Sequence, residues 1–158
     1  MKSITKNAVV IALFASASAL LFSFTKNRGG EGFEIYLNSK LVLQQFGNNM
    51  NALKTISLDK SQSGSQLTVK YFHCGRAGKN RTIAIKDANN KLLKEWHYPD
   101  VSTASVAANE QAMNCKVSDI LGLQKNNASN LSLYYSSSEL PKGRLLATLV
   151  CEGSYAKH

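Results

Sequence analysis

A run of alternating side chains limits the fold of this chain more than any other feature of its sequence. In residues 66–74, QLTVKYFHC, every second position from Leu67 to Tyr71 is apolar, and the positions between are polar. Successive side chains of an extended chain point to opposite faces, so this pattern predicts a half-buried β-strand. The strand would deliver His73 and Cys74 to its end, and these are among the few residues here with side chains suited to chemistry.

Short stretches of the same kind recur along the chain, with turn signals between them. They predict about eight short strands and no long amphipathic helix. The predicted fold is therefore all-β. We expect an antiparallel Greek-key β-sandwich of the immunoglobulin or fibronectin kind, with a small barrel as the alternative.

Several local features of this fold are predicted in more detail. Asn38-Ser39-Lys40 and Asp87–Asn90 are predicted turns, and residues 118–122 form a predicted helical turn. Residues 101–112 fit either a short helix or a loop. Residues 136–143 (SSSELPKG) are predicted as a turn region. The inward face of the last strand is predicted to consist of Leu145, Ala147, Leu149 and Cys151.

The N-terminal residues have the composition of an export signal. Lys2 and Lys6 precede an apolar run at 8–22, which contains small-x-small sequences at 15–17 and 17–19. The pattern predicts a signal peptide at 1–19, a flexible linker at 20–32, a sandwich domain at 33–152 and a tail at 153–158. The predicted location is secreted or periplasmic. An uncleaved membrane anchor is the alternative, although the run is shorter than the ~20 residues of a spanning helix.

The chain is basic, with a formal net charge of +9 that falls to +7 if Lys2 and Lys6 leave with the signal peptide. Such a domain attracts anionic partners, but its basic residues are scattered. Only Arg76, Lys79 and Arg81 form a local cluster, in a Gly-containing segment without the spacing of a phosphate-binding loop. We take this cluster as a candidate binding site and predict no nucleic-acid partner.

The three cysteines, Cys74, Cys115 and Cys151, leave two interpretations open. An exported compartment permits one disulfide and one free thiol, with no indication of which two would pair. Alternatively, all three are buried thiols that pack as small apolar side chains.

His73, Cys74 and His97 are the candidate metal ligands. Two imidazoles and a thiolate suit copper or zinc. Neighbouring residues on a strand point to opposite faces, so His73 and Cys74 would both ligate only at a strand end or a bulge. A periplasmic copper- or zinc-binding protein is thus the leading alternative function. The main interpretation needs no cofactor.

Signals for catalysis are weak in this sequence. No serine lies in a G-x-S-x-G context, nothing distinguishes a pair among the ten acids, and no nucleotide-binding or calcium-binding motif appears. We therefore expect no enzymatic activity. A hydrolase with an unrecognised site is the weaker alternative.

Phe72, Trp96 and Tyr134 are the candidate binding aromatics. Exposed rings beside Asn, Gln and Lys side chains suit contacts with sugars or peptides, and edge strands accept an added strand. The alternative is that most of these rings pack between the sheets or cover their edges.

Four stretches carry a resemblance to known proteins. They are GGEGFEIYLNSKLVLQQF (29–46), QLTVKYFHCG (66–75), NRTIAIKDANNKLLKEW (80–96) and LYYSSSELPKGRLLA (133–147). With the signal segment, they resemble small exported proteins of Bacteroidetes-type bacteria. IAIKDANNKLLKEW is also similar to hairpins of bacterial immunoglobulin-like modules. The resemblance implies export and assigns no functional residue. We therefore expect a non-catalytic binding or structural module of the envelope or extracellular space, with a protein or glycan partner.

Overall fold

The computed structural model describes residues 30–74, 76–101, 111–124 and 130–152. The predicted signal peptide, most of the linker, residues 102–110, the loop at 125–129 and the tail lie outside these ranges. Within them the strands are β1 (Gly32–Leu37), β2 (Lys40–Phe46), β3 (Thr55–Asp59), β4 (Gln66–Phe72), β5 (Arg81–Lys86), β6 (Leu92–Tyr98), β7 (Met113–Lys116), β8 (Asn130–Ser137) and β9 (Leu140–Glu152).

Short helices occupy some of the connections. The predicted helical turn is present as α1 (Val117–Leu121), and two 3-10 helices span Gly47–Asn51 and Lys60–Gln62. In the part of the chain that the structure describes, no helix has the length and apolarity needed to cross a membrane.

The strands form two sheets, with the order β2-β1-β4-β7 in one and β3-β9-β8-β5-β6 in the other. This confirms the predicted all-β sandwich and leaves no support for the barrel. One strand pair differs from the prediction, because β3 runs parallel to β9. The chain leaves β2 through the helix at Gly47–Asn51 and crosses to the other sheet, which lets β3 join the edge in a parallel direction.

The alternating stretch at 66–74 forms β4, between β1 and β7, and is half-buried as predicted. Leu67, Val69 and Tyr71 lie in the core between the sheets. Burying each such side chain stabilises the fold by about 1.5–3 kcal/mol. Strands beside β4 and strands of the facing sheet complete the core with Phe33, Ile35, Ile83, Ile85, Leu131, Leu133, Tyr135, Ala147 and Leu149.

Both predicted hairpin turns are confirmed. Asn38 and Ser39 have φ angles of +48° and +68°, as a two-residue turn between twisted antiparallel strands requires. In the second turn, the Asp87 carboxylate accepts hydrogen bonds of 2.9 Å from the backbone N–H groups of Asn89 and Lys91.

The last strand begins earlier than predicted. β9 starts at Leu140, so the turn before it is confined to residues 138–139, and the turn region predicted at 136–143 is too long. A Pro at position 141 is compatible with a strand near its start.

A bulge in β9 also changes which leucine faces the core. Leu133 pairs with Ala147 and Tyr134 pairs with Leu145, so Leu146 is an extra residue between them. Leu146 is buried, whereas Leu145 is only half-buried. The predicted inward position of Leu145 is therefore wrong, because one extra residue reverses a period-2 alternation. The predicted burial of Ala147, Leu149 and Cys151 is correct.

Candidate functional site

The segment from His73 to Asn80 and the β8–β9 turn meet at one end of the sandwich, which we call the loop end. The Glu139 carboxylate accepts from the backbone N–H of Lys79 at 3.0 and 3.2 Å. The backbone N–H of Ser138 donates to the Lys79 carbonyl at 2.8 Å, and the Asn80 amide donates to the Ser138 hydroxyl at 2.9 Å. The Glu139 carboxylate therefore already binds the backbone N–H of Lys79, in the segment that carries Arg76 and Lys79.

His73 is the titratable group at the centre of the loop end. Its Nε2 lies 2.9 Å from the Tyr135 hydroxyl and 3.2 Å from the Ser137 hydroxyl. Burial lowers the pKa of His73 and raises the pKa of Tyr135 to about 12, so both groups are neutral at pH 7. Ser137 is only 6% exposed, so its hydroxyl faces protein and is closed to a substrate.

A second polar cluster lies beside the first and joins Glu31, just before β1, to β4 and β9. Glu31 accepts a 2.6 Å hydrogen bond from the Tyr71 hydroxyl, and its other oxygen lies 3.3 Å from Arg144 Nη2. The Tyr71 and Tyr135 rings stack with centroids 4.1 Å apart, which brings the two clusters into contact. Glu31 lies in the predicted linker, and no sequence pattern marks Arg144 as a functional residue.

Arg81 does not belong to the predicted surface cluster. The residue is 3% exposed, and its guanidinium donates to the carbonyls of Gln111 at 3.1 Å and Pro99 at 2.7 Å. The reason is the alternation of β5, which puts position 81 on the same inward face as Ile83 and Ile85. Arg76 and Lys79 are exposed in the segment before it.

The structure does not bring the three predicted metal ligands together. His73 faces the interior, while Cys74 follows it with a φ of +50° and an exposed side chain. His97 is exposed on β6, where it contacts Thr82 at 3.0 Å and Glu95 at 3.1 Å. Among the described residues, no group of three or more His, Cys, Asp or Glu side chains has an arrangement suited to a metal ion.

The three cysteines, which all lie in described ranges, are unpaired. Cys115 and Cys151 are buried, as the alternative of packed thiols predicts, whereas Cys74 is exposed. Burial raises the pKa of Cys115 to about 11, which keeps this thiol protonated and unreactive.

The three predicted binding aromatics lie on three different surfaces and are all partly exposed. Phe72 is on the outer face of the four-stranded sheet. Tyr134 is on the outer face of the five-stranded sheet, with Lys86 Nζ 4.4 Å from its ring centroid. Trp96 pairs with inward-facing Ile83 and packs against the core at the edge of its sheet.

Phe72 forms part of an aromatic row that the sequence did not reveal. Gly32 pairs with Phe46 on one side and with Phe72 on the other, and the two rings stack over it with centroids 5.7 Å apart. A Cβ at Gly32 would lie 1.9 Å from the Phe46 ring, so only glycine fits there. The signal is a glycine that lies between two aromatic residues on neighbouring strands. It can be recognised only once the strand register is known.

The edge strand of the same sheet exposes apolar side chains. Leu41 is 44% exposed and Val42 is 39% exposed on β2. The register shifts at this point, because Ile35 pairs with Leu43 and Tyr36 pairs with Leu41. Three consecutive apolar residues, Leu41 to Leu43, break the alternation, and this is the signal from which a bulge and an exposed patch were predictable. We call Leu41 and Val42 the β2 edge patch.

Comparison with protein-family models and with curated proteins finds no match to this chain.

Proposed function

We propose that this chain is an exported, non-catalytic binding or structural module built on an immunoglobulin-like Greek-key sandwich. The partition of its strands supports this topology. β1, β4 and β7 lie in one sheet, and β5, β8 and β9 lie in the other. This division matches the A-B-E and C-F-G strand sets of that fold. The basic and apolar segments at the N-terminus support export to the periplasm or the extracellular space.

The β2 edge patch is the observation on which the binding function rests. β2 is the outer strand of its sheet, so one side of its backbone has no strand partner among the described residues. Natural edge strands are usually protected by charged side chains, proline or bulges, and β2 has Lys40 and a bulge near its start. Beside them, exposed Leu41 and Val42 offer apolar contacts next to free backbone groups, which suits a protein that adds a strand. We therefore take a protein of the cell envelope as the partner.

The non-catalytic part of the proposal is supported by the loop end. There, Nε2 of His73 is bonded to the Tyr135 hydroxyl, and in the second polar cluster beside it Glu31 is bonded to Tyr71. An active site instead needs polar groups open to a substrate.

A capture experiment tests the binding function. Tagged residues 20–158 are incubated with an envelope extract at low and moderate salt, and retained proteins are identified by mass spectrometry. We expect one protein to persist at moderate salt and to be lost with Val42→Lys, because a lysine on an edge strand opposes strand addition. Leu92→Lys, at a similarly exposed position on edge strand β6, is the matched control.

Equal capture by Val42→Lys and Leu92→Lys would contradict the proposed edge. Retention of nothing at moderate salt would contradict the binding function itself.

A further inference from the structure

A cavity of about 290 Å³ lies between β9 and the connection that leads from β2 to β3. This size is close to the ~300 Å³ at which small-molecule pockets begin. One wall is formed by β9 and the other by the connection. The lining residues are Met50, Asn51, Ala52, Leu53, Arg144 and Leu145.

The connection is held in place by hydrogen bonds on either side of Leu53. The Gln45 side chain donates to the Ala52 carbonyl at 2.6 Å, and the backbone N–H of Thr148 donates to the Lys54 carbonyl at 2.9 Å. Leu53 itself is 61% exposed, the largest exposed fraction among the large apolar residues of the described chain. An apolar side chain held open to solvent beside a cavity offers surface that a ligand would cover.

Arg144 supplies the only charged side chain among the residues that line this cavity. Its Nη2 lies 3.3 Å from Glu31, and Glu31 also accepts a shorter bond from Tyr71. The Arg144 side chain is 26% exposed, and among the described residues its ion-pair partner is Glu31. A guanidinium carries five N–H donors and pairs well with carboxylates, so the exposed part of this one has donors left for a second anion.

We propose that the cavity binds a monocarboxylate that carries an aliphatic chain. The carboxylate accepts hydrogen bonds from Arg144, and the aliphatic chain lies against Met50 and Leu53. The positive charge of Arg144 favours the carboxylate of the ligand, and the apolar lining favours its aliphatic chain. This site is separate from the β2 edge patch, so its test does not depend on whether the proposed protein partner exists.

Octanoate and 1-octanol are the probes for this site, measured by calorimetry and by amide shifts in NMR spectra of residues 20–158. We expect octanoate to bind and to shift the amides of residues 50–53 and 144. 1-Octanol should bind at least about tenfold more weakly, because it lacks the charge-assisted hydrogen bond. Equal affinity for the two probes, or no octanoate shifts at these residues, would overturn the proposal.

Two variants and a control locate the site. Arg144→Met keeps the aliphatic part of the side chain and should weaken octanoate binding at least about tenfold. Leu53→Ser changes an exposed position and should weaken it several-fold, whereas Leu92→Ser on β6 should leave it unchanged. If Arg144→Met does not fold, the Leu53→Ser comparison decides. Octanoate affinity equal in Leu53→Ser and Leu92→Ser would overturn the site.

Discussion

His73 is packed against Tyr71 and Tyr135, with ring centroids 4.8 and 5.7 Å from its own. Two hydroxyls surround its Nε2, and a neutral imidazole nitrogen accepts from a hydroxyl without carrying charge. A proton on this ring would place a cation beside Arg144 in a poorly solvated region. Burial is the main reason that the pKa of His73 is lowered; the charges of Glu139 and Glu31 oppose this shift, and the charge of Arg144 adds to it. The residue is therefore a structural group of the loop end that opposes protonation.

The lowered pKa of His73 predicts a loss of stability in mild acid. The unfolded chain binds a proton near its ordinary pKa of 6.5, whereas the folded chain resists protonation until a lower pH. The free energy of unfolding should therefore be constant above this value and fall below it, by at most about 1.4 kcal/mol per pH unit. Urea unfolding at a series of pH values between about 7.5 and 5.5 measures the slope.

Two variants test whether His73 causes the pH dependence of the free energy of unfolding. His73→Gln should flatten it, and His97→Gln, at an exposed position on β6, should leave it unchanged. A slope that persists in His73→Gln would show that another group is responsible.

Gly78 predicts a steric effect on the same cluster. A Cβ at this position would lie 2.5 Å from the Tyr135 hydroxyl and 2.9 Å from His73 Nε2. Because the Tyr135 ring is stacked and buried, it has little room to move, so Gly78→Ala should cost about 1–3 kcal/mol. Gly64→Ala, where a Cβ meets nothing within 4 Å, should be neutral or stabilise the fold by up to about 1 kcal/mol. Thermal unfolding of the two variants makes the comparison, and equal melting temperatures would contradict the tight packing.

At the level of elements, the bulge in β9 predicts different costs for two neighbouring leucines. Leu146 is 1% exposed, so Leu146→Ala should destabilise the fold by about 2–5 kcal/mol. Leu145→Ala should cost clearly less, because this side chain is half-buried and pairs with outward-facing Tyr134. Denaturant unfolding of both variants measures the difference. A larger cost for Leu145→Ala would mean that the regular alternation of the sequence continues through β9 without a bulge.

β4 and β9 together show why part of the fold was predictable from the sequence and part was not. Alternation over Leu67 to Tyr71 needs only local information, because side-chain direction follows from position within an extended strand. The bulge at Leu146, the parallel pairing of β3 and the inward position of Arg81 depend on contacts with other strands. The polar clusters follow the same rule, because Glu31 meets Arg144 only across the assembled sheets.

For the whole molecule, the formal net charge is +9, and the placement of the described basic residues bears on how the protein meets an anionic partner. Arg76 and Lys79 are exposed, but Arg81 is buried, and Glu139 binds the backbone of Lys79. Two exposed cations remain from the predicted cluster of three. Exposed charges act over about a Debye length, ~8–10 Å at physiological salt, and do not need a fixed site.

Binding to a polyanion should therefore depend on total charge and only weakly on position. We expect Arg76→Glu/Lys79→Glu to elute from a heparin column at a lower salt concentration than the parent chain. Lys91→Glu/Lys116→Glu, which changes two exposed lysines outside the loop end by the same total charge, should show a similar shift. The physical reason is that screened, exposed charges contribute through the overall field of the protein. If the first pair alone lowers the elution salt, the loop end is an anion-binding site in its own right. In that case Arg76 and Lys79 regain the binding role that the sequence predicted for them.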